Sequence, residues 1–231
     1  NTYHFNRSLS SWNTANVTDM SAMFENSYYF DQSISSWNVS NVTDMQRMFK
    51  NANNFNQSIN TWNVANAIAM NSMFEDANTF NQPLNYWDVG NVNTMASMFA
   101  EANNFDRSLR DWDVSNVSIM DSMFHNATNF NRPLGSWCVQ NIPILPSGFA
   151  TQLDSVNYPI WGTCNNFYLD SLGCLVCDDL MVGDEFVFNS DTILVVDNSI
   201  LDSLITNNAN VTKICVSHVT NLRKAFYGKS T

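Results

Sequence analysis

Tryptophan recurs at Trp12, Trp37, Trp62, Trp87, Trp112 and Trp137, and nearly every other large apolar residue of this region falls into phase with that 25-residue period. Val39, Val64, Val89, Val114 and Val139 follow two positions after their tryptophans. Methionine fills two further columns, Met20, Met45, Met70, Met95, Met120 and Met23, Met48, Met73, Met98, Met123. Phenylalanine fills another two. One is Phe24, Phe49, Phe74, Phe99, Phe124 and Phe149; the other is Phe5, Phe30, Phe55, Phe80, Phe105 and Phe130, with Leu or Ile four residues beyond. Self-similarity at a fixed period marks a stacked-repeat architecture, in which one repeat cannot bury its apolar face alone. Within the unit, Ile34, Trp37 and Val39 follow the apolar-x-x-apolar-x-apolar rhythm of a strand-bearing segment, and Met45, Met48 and Phe49 have the i, i+3, i+4 spacing of one helical turn. The expected fold is therefore a leucine-rich-repeat-like solenoid, one short parallel strand plus a short helical turn per coil, with Trp12 to Trp137 and Phe24 to Phe124 forming buried ladders along its axis.

The polar positions repeat as well. Asn16, Asn41, Asn66, Asn91, Asn116 and Asn141 stand four residues after each Trp. This column is expected to face inward and to hydrogen-bond the backbone of neighbouring coils. Asn13, Asn38, Asn63, Asp88 and Asp113, one residue after each Trp, are expected to form an outward polar ribbon. Acceptor sequons for N-linked sugars occur at Asn6, Asn16, Asn38, Asn41, Asn116, Asn126 and Asn210. An inward column has no room for a sugar, which leaves Asn6, Asn38, Asn126 and Asn210 as the glycosylation candidates.

The stretch Trp37-Asn-Val-Ser-Asn-Val-Thr-Asp-Met45, followed by Met48-Phe49, Ala52 and Phe55-Asn-Gln57, resembles the BspA-like surface-protein repeat, a leucine-rich-repeat relative first noted as a domain of unknown function in mycoplasma lipoproteins. The resemblance covers residues 1 to 166. It implies a surface or secreted protein with an attachment or scaffold role and no known active site.

Regular coils are expected over 1–136 and a degenerate closing coil over 137–166, where Pro143, Pro146 and Pro159 enter and Trp161 arrives one residue early. Residues 167–210 leave the register and form a small mixed linking module. In it Phe186–Phe188 and Ile193–Val196 read as two strands and Ser199–Ile205 as a short helix. Over 211–231 the repeat returns, with Ile214 in the Trp slot and His218 in the Asn slot, as the opening coil of a further array. Both ends of the sequence fall in mid-repeat, as expected of a segment of a longer chain. Cys138 and Cys164, one and three residues after their tryptophans, are expected to be joined by a disulfide that clips the closing coil and implies an oxidising compartment. Cys174 and Cys177 have redox-motif spacing without the strand-to-helix context that motif requires, and a disulfide from Cys215 to Cys174 or Cys177 is expected in preference to a zinc site.

Charge changes the picture mainly by exclusion. Twenty-one acidic against ten basic residues give a net charge of -11, and no basic cluster offsets it, which argues against nucleic-acid binding. No apolar run is long enough to span a membrane. His4, His125 and His218 are far apart and in no metal-ligand or catalytic spacing, so no catalytic residue, metal or cofactor is expected. The expected function is that of a non-enzymatic extracellular or cell-surface structural protein, a virion surface included. It would be a segment of a filament- or stalk-forming chain whose partners are copies of itself or neighbouring arrays. The alternative is an adhesin or recognition module that binds a glycan or host receptor through a solenoid face.

Overall fold

The computed structural model describes residues 3–164 continuously and, beyond them, five short strands. The chain forms two compact units, Asn1–Cys164 and Asn165–Thr231.

In the first unit the repeats stack as coils, but the coils are not those of a leucine-rich repeat. Among its described residues the only regular element is a single 3-10 turn, Ser155–Asn157; the parallel strand expected around Ile34, Trp37 and Val39 does not form, and the coils meet instead in single-residue bridges beside the first Met column: Asp19 with Asp44, Asp44 with Ala69, Ala69 with Thr94, Thr94 with Ile119. The apolar spacing belongs instead to turns. Trp37 N–H donates to the Ile34 carbonyl, Val42 to Val39, Met48 to Met45, Ala52 to Phe49 and Phe55 to Ala52, at 2.9 to 3.2 Å. Each of these i, i+3 pairs is the first and last residue of a turn, and both of its side chains are buried.

The helical turn fails for a reason visible in the backbone. Ala22, Asn26, Arg47, Asn51, Ser72, Asp76, Ser97, Glu101, Ser122 and Asn126 have φ between 53° and 60°. These left-handed residues fall ten and fourteen positions after each Trp, where a type II turn needs positive φ at its third position and a right-handed helix cannot continue. Alternate N–H groups of the segment then leave their own coil. Met45, Arg47, Phe49 and Asn51 donate to the carbonyls of Ala69, Asn71, Met73 and Glu75 at 2.8 to 3.0 Å, and the corresponding residues of the coils from Met20 to Glu101 do the same. The intervening N–H groups close the turns, so the buried backbone is satisfied without helix or strand.

Inside this frame the aromatic rings stack. Phe24, Phe49, Phe74, Phe99 and Phe124 lie 5.5 to 5.6 Å apart in near-parallel planes. Each pairs within its own coil with a ring of the second column, Phe49 with Phe55 at 4.0 Å for example. Trp37 to Trp137 are buried, and each indole N–H donates to a Leu or Ile carbonyl of the preceding coil at 2.9 to 3.2 Å. Trp12, expected in the buried ladder, is 54% exposed, because its ring is stacked only on that of Trp37. In the closing coil the register slips: Phe124 bridges to Ala150, Gly148 takes a left-handed φ of 62°, and Phe149 meets Phe124 edge-on rather than stacked.

In the second unit β1 (Tyr168–Leu169) pairs antiparallel with β2 (Leu175–Val176). β3 (Glu185–Phe188) pairs antiparallel with β4 (Asp191–Val195), and β4 pairs parallel with β5 (Ile214–Cys215). The helix expected at Ser199–Ile205, the pairing of Cys215 with Cys174 or Cys177, and Asn210 lie outside the described residues, as does most of the opening coil expected over 211–231.

Candidate functional site: the polar columns of the stack

Four polar columns run along the outside of the coils. The Asn column four residues after each Trp is exposed, not inward. It nevertheless binds backbone: Asn41, Asn66, Asn91, Asn116 and Asn141 each donate from Nδ2 to a carbonyl of the preceding coil (Ala15, Ser40, Ala65, Gly90 and Ser115) at 2.6 to 2.7 Å. A backbone carbonyl at the rim of a coil needs a partner as much as one in the core, so the inward placement was not required. The ribbon one residue after each Trp is exposed, and each side-chain oxygen there closes a local turn. Asn13, Asn38, Asn63, Asp88 and Asp113 accept from the N–H two residues on, at 3.0 to 3.2 Å.

A third column, not anticipated, follows the second Phe ladder. Asn6, Asp31, Asn56 and Asn81 accept, through Oδ1, the backbone N–H of the equivalent residue in the next coil at 3.0 to 3.1 Å. The residue after each reaches back to the same column: Gln32, Gln57 and Gln82 through Nε2, Arg107 to the Asn81 carbonyl, and Arg132 in a two-pronged pair with Asp106 at 2.6 and 2.9 Å. The strict Phe-Asx-Gln/Arg triplet was the signal that could have revealed it.

The fourth column is that of the left-handed residues fourteen after each Trp. Asn51 donates to Asn26 at 2.7 Å and Asn126 to Glu101 at 2.6 Å. Between them Asp76 has its carboxyl pushed above the usual range by burial, with Glu101 and Glu75 adding repulsion and Lys50 partly offsetting it. Lys50 is paired with Glu75 at 2.8 Å. The Asp19 carboxyl is held below the usual range by the hydroxyl and N–H of Ser21.

Cys138 and Cys164 are joined by a disulfide, with Cα atoms 4.0 Å apart. Next to it, within the loop it closes, Val139 N–H donates to the Thr163 carbonyl and Gly162 N–H to that of Ile142. Among the sequons, Asn6 and Asn38 are exposed, whereas Asn126 is half-buried at a φ of 53° with its Nδ2 engaged by Glu101. Asn16, Asn41 and Asn116, set aside as inward, are exposed. His4 stacks on Tyr29 near the first coil, while the buried Nδ1 of His125 has no partner, so these two are not brought together. Among the described residues no group of His, Cys, Asp and Glu side chains is arranged to hold a metal ion, and no helix is long and apolar enough to cross a membrane.

Two shallow, open grooves lie on these faces. One is lined by Asn41, Thr43, Asn66, Ile68 and Asn91, the other by Asn56, Thr79, Asn81, Asn104, Asp106 and Asn129. No curated protein and no solved structure matches the chain. A family model does match it, twice, over residues 1–85 and 68–160, the same stretch that carries the coils and their polar columns. On that match the chain belongs to the family described as Mycoplasma protein of unknown function, DUF285.

Proposed function

We propose that this chain is a non-enzymatic structural module of an extracellular or cell-surface protein, BspA-like in its repeats, whose coils build a rigid rod within a filament or stalk. One observation carries the reading: most recurrent polar groups of the coils are spent on the neighbouring coil or on their own turn, as the amides of Asn41 to Asn141 show. Such a surface is organised for axial stacking, and its natural partners are neighbouring arrays or copies of the same chain. The Cys138–Cys164 disulfide supports an oxidising compartment, since such bonds are rare in reducing ones. The test has two readouts on the source cells. A membrane-impermeant biotin reagent should label the protein on intact cells, and negative-stain images of the purified natural chain should show elongated rods. Label confined to lysed cells would overturn the location, and compact particles would overturn the rod.

A further inference from the structure

We propose that the groove lined by Asn41, Thr43, Asn66, Ile68 and Asn91 binds a linear, neutral polysaccharide lying along the stack axis, one sugar ring per coil. The proposal goes beyond the structural role and stands without it.

Three observations converge on this groove. Its lining carries no charge, although the chain has a net charge of -11. Asn41, Asn66 and Asn91 each spend one Nδ2 hydrogen on a carbonyl of the preceding coil, at 2.7 Å. An amide has a second N–H and a carbonyl oxygen with two lone pairs, so a donor and an acceptor remain at every coil. Between these amides Ile68 is 45% exposed, in a column where the neighbouring coils carry Thr43 and Asn93. Stacking does not require that side chain. The column is held by main chain, with Ile68 N–H donating to the Thr43 carbonyl and Asn93 N–H to that of Ile68.

A row of neutral donor–acceptor pairs beside an apolar floor matches the chemistry of an uncharged sugar, whose hydroxyls take the amides and whose C–H face packs on an aliphatic side chain. Repetition adds a geometric match. Hydrogen-bonded chains lie about 4.8 Å apart, of the same order as the advance per ring of an extended β-linked polysaccharide, so a chain lying along the axis meets a donor–acceptor pair at each coil it crosses. A polyanion would find no cation here to release its counterions. The other groove is less suited: its Asn56 and Asn81 oxygens already accept N–H groups of the next coil, and its Asp106 is charged and paired with Arg132.

The test uses the whole chain produced in bacteria, free of N-linked sugar. It is titrated with cello- and chito-oligosaccharides of two to six rings and with an acidic oligogalacturonide, by amide-resolved NMR. Shifts of the Asn41, Asn66 and Asn91 side-chain amides with the neutral series, and affinity that tightens with added rings, are expected. Ile68→Thr, which gives this coil the residue of its neighbour, should weaken binding by about tenfold, the usual worth of one apolar contact, without moving the melting temperature. Absence of binding by every neutral oligomer, equal affinity for dimer and hexamer, an unaffected Ile68→Thr variant, or preference for the acidic oligomer would each overturn the proposal.

Discussion

Asp76 sits where residue-scale forces oppose the stack. Its carboxyl keeps its proton to higher pH in the folded chain than in the unfolded one, where the ordinary value is 3.8. At neutral pH the charged group therefore costs the fold stability, and that cost is relieved as pH falls through the raised folded pKa, fully so below the unfolded value. Asp76→Asn removes the charge and supplies a side chain that tolerates φ > 0 better than most. The variant should melt higher than the parent at pH 7, with the gap narrowing as pH falls through the raised pKa and gone below the ordinary value of 3.8; a gap independent of pH would show that the buried charge of Asp76 is not its cause. Trp87 is the opposite case, 3% exposed, with its indole N–H on the Ile59 carbonyl. Trp87→Ala should cost about 3 to 5 kcal/mol in denaturant unfolding, whereas Asp88→Ala, exposed and closing only its own turn, should change stability by under roughly 0.5 kcal/mol. Which residues are core was legible in sequence because large apolar side chains repeat without exception over five coils. Which way a polar column faces was not, since an Asn that binds backbone has the same periodicity whether it stands at the rim or inside.

At the scale of the element, an i, i+3 apolar pair is shared by the helical turn and by the β-turn, and this ambiguity is where the sequence reading of strand plus helix failed. The residues that decide between them are unremarkable in type. Ala22, Arg47, Ser72, Ser97 and Ser122 adopt a left-handed backbone with no glycine among them, so the usual turn punctuation is missing from the sequence. The inter-coil bonds compensate, because each of these residues donates its N–H to the next coil, Ser97 to the Asp121 carbonyl at 2.9 Å. The turn geometry makes a prediction opposite in sign to the helical one. Glycine inside a helix destabilises by about 0.5 to 1 kcal/mol, but at a left-handed position it relieves Cβ strain of about 1 to 2 kcal/mol. Ser97→Gly should therefore leave the chain as stable or raise its stability by up to about 1 kcal/mol, and Ser97→Val, β-branched where φ is 55°, should lower it by more than 1 kcal/mol. Chemical denaturation of the pair separates the two geometries, and a destabilising Gly together with a neutral Val would favour the helix.

At the scale of the first unit, the 25-residue period was fully legible. The form of the closing coil was not, because no column of the repeat marks the pairing of Phe124 with Ala150 or the left-handed Gly148. Within the closing coil Trp161 meets Phe149 edge-on at 4.9 Å, and the disulfide holds Cys164 against the start of the same coil. Cross-links of this span contribute about 3.5 kcal/mol by the chain-entropy account. Reduction, or Cys138→Ser with Cys164→Ser, should expose amides of residues 150–164 to hydrogen exchange before those around Phe74 and Phe99. Uniform loss of protection would instead mark the unit as a single cooperative block. The stronger consequence concerns the coils themselves. Each contacts its neighbours through identical columns, so the stability of a repeat stack is nearly a sum of coil and interface contributions. Deleting residues 63–87 joins Trp62 directly to Asp88 and removes one whole period, placing Phe99 on the ring of Phe49 in place of Phe74 and Asn91 on the carbonyl of Ser40 in place of Asn66. That variant should fold, with the same tryptophan fluorescence maximum and a lower denaturation midpoint. Deleting residues 63–86 instead removes one residue fewer, sets Trp87 directly after Trp62 and shifts Trp112 and both Phe columns by one residue against the coil before the junction. It should lower the denaturation midpoint further than the 25-residue deletion, since the interface at the junction loses its register while the coils on either side keep theirs. Equal tolerance of the two deletions would mean that the coils are held by general apolar collapse rather than by the registered ladders of ring, amide and backbone.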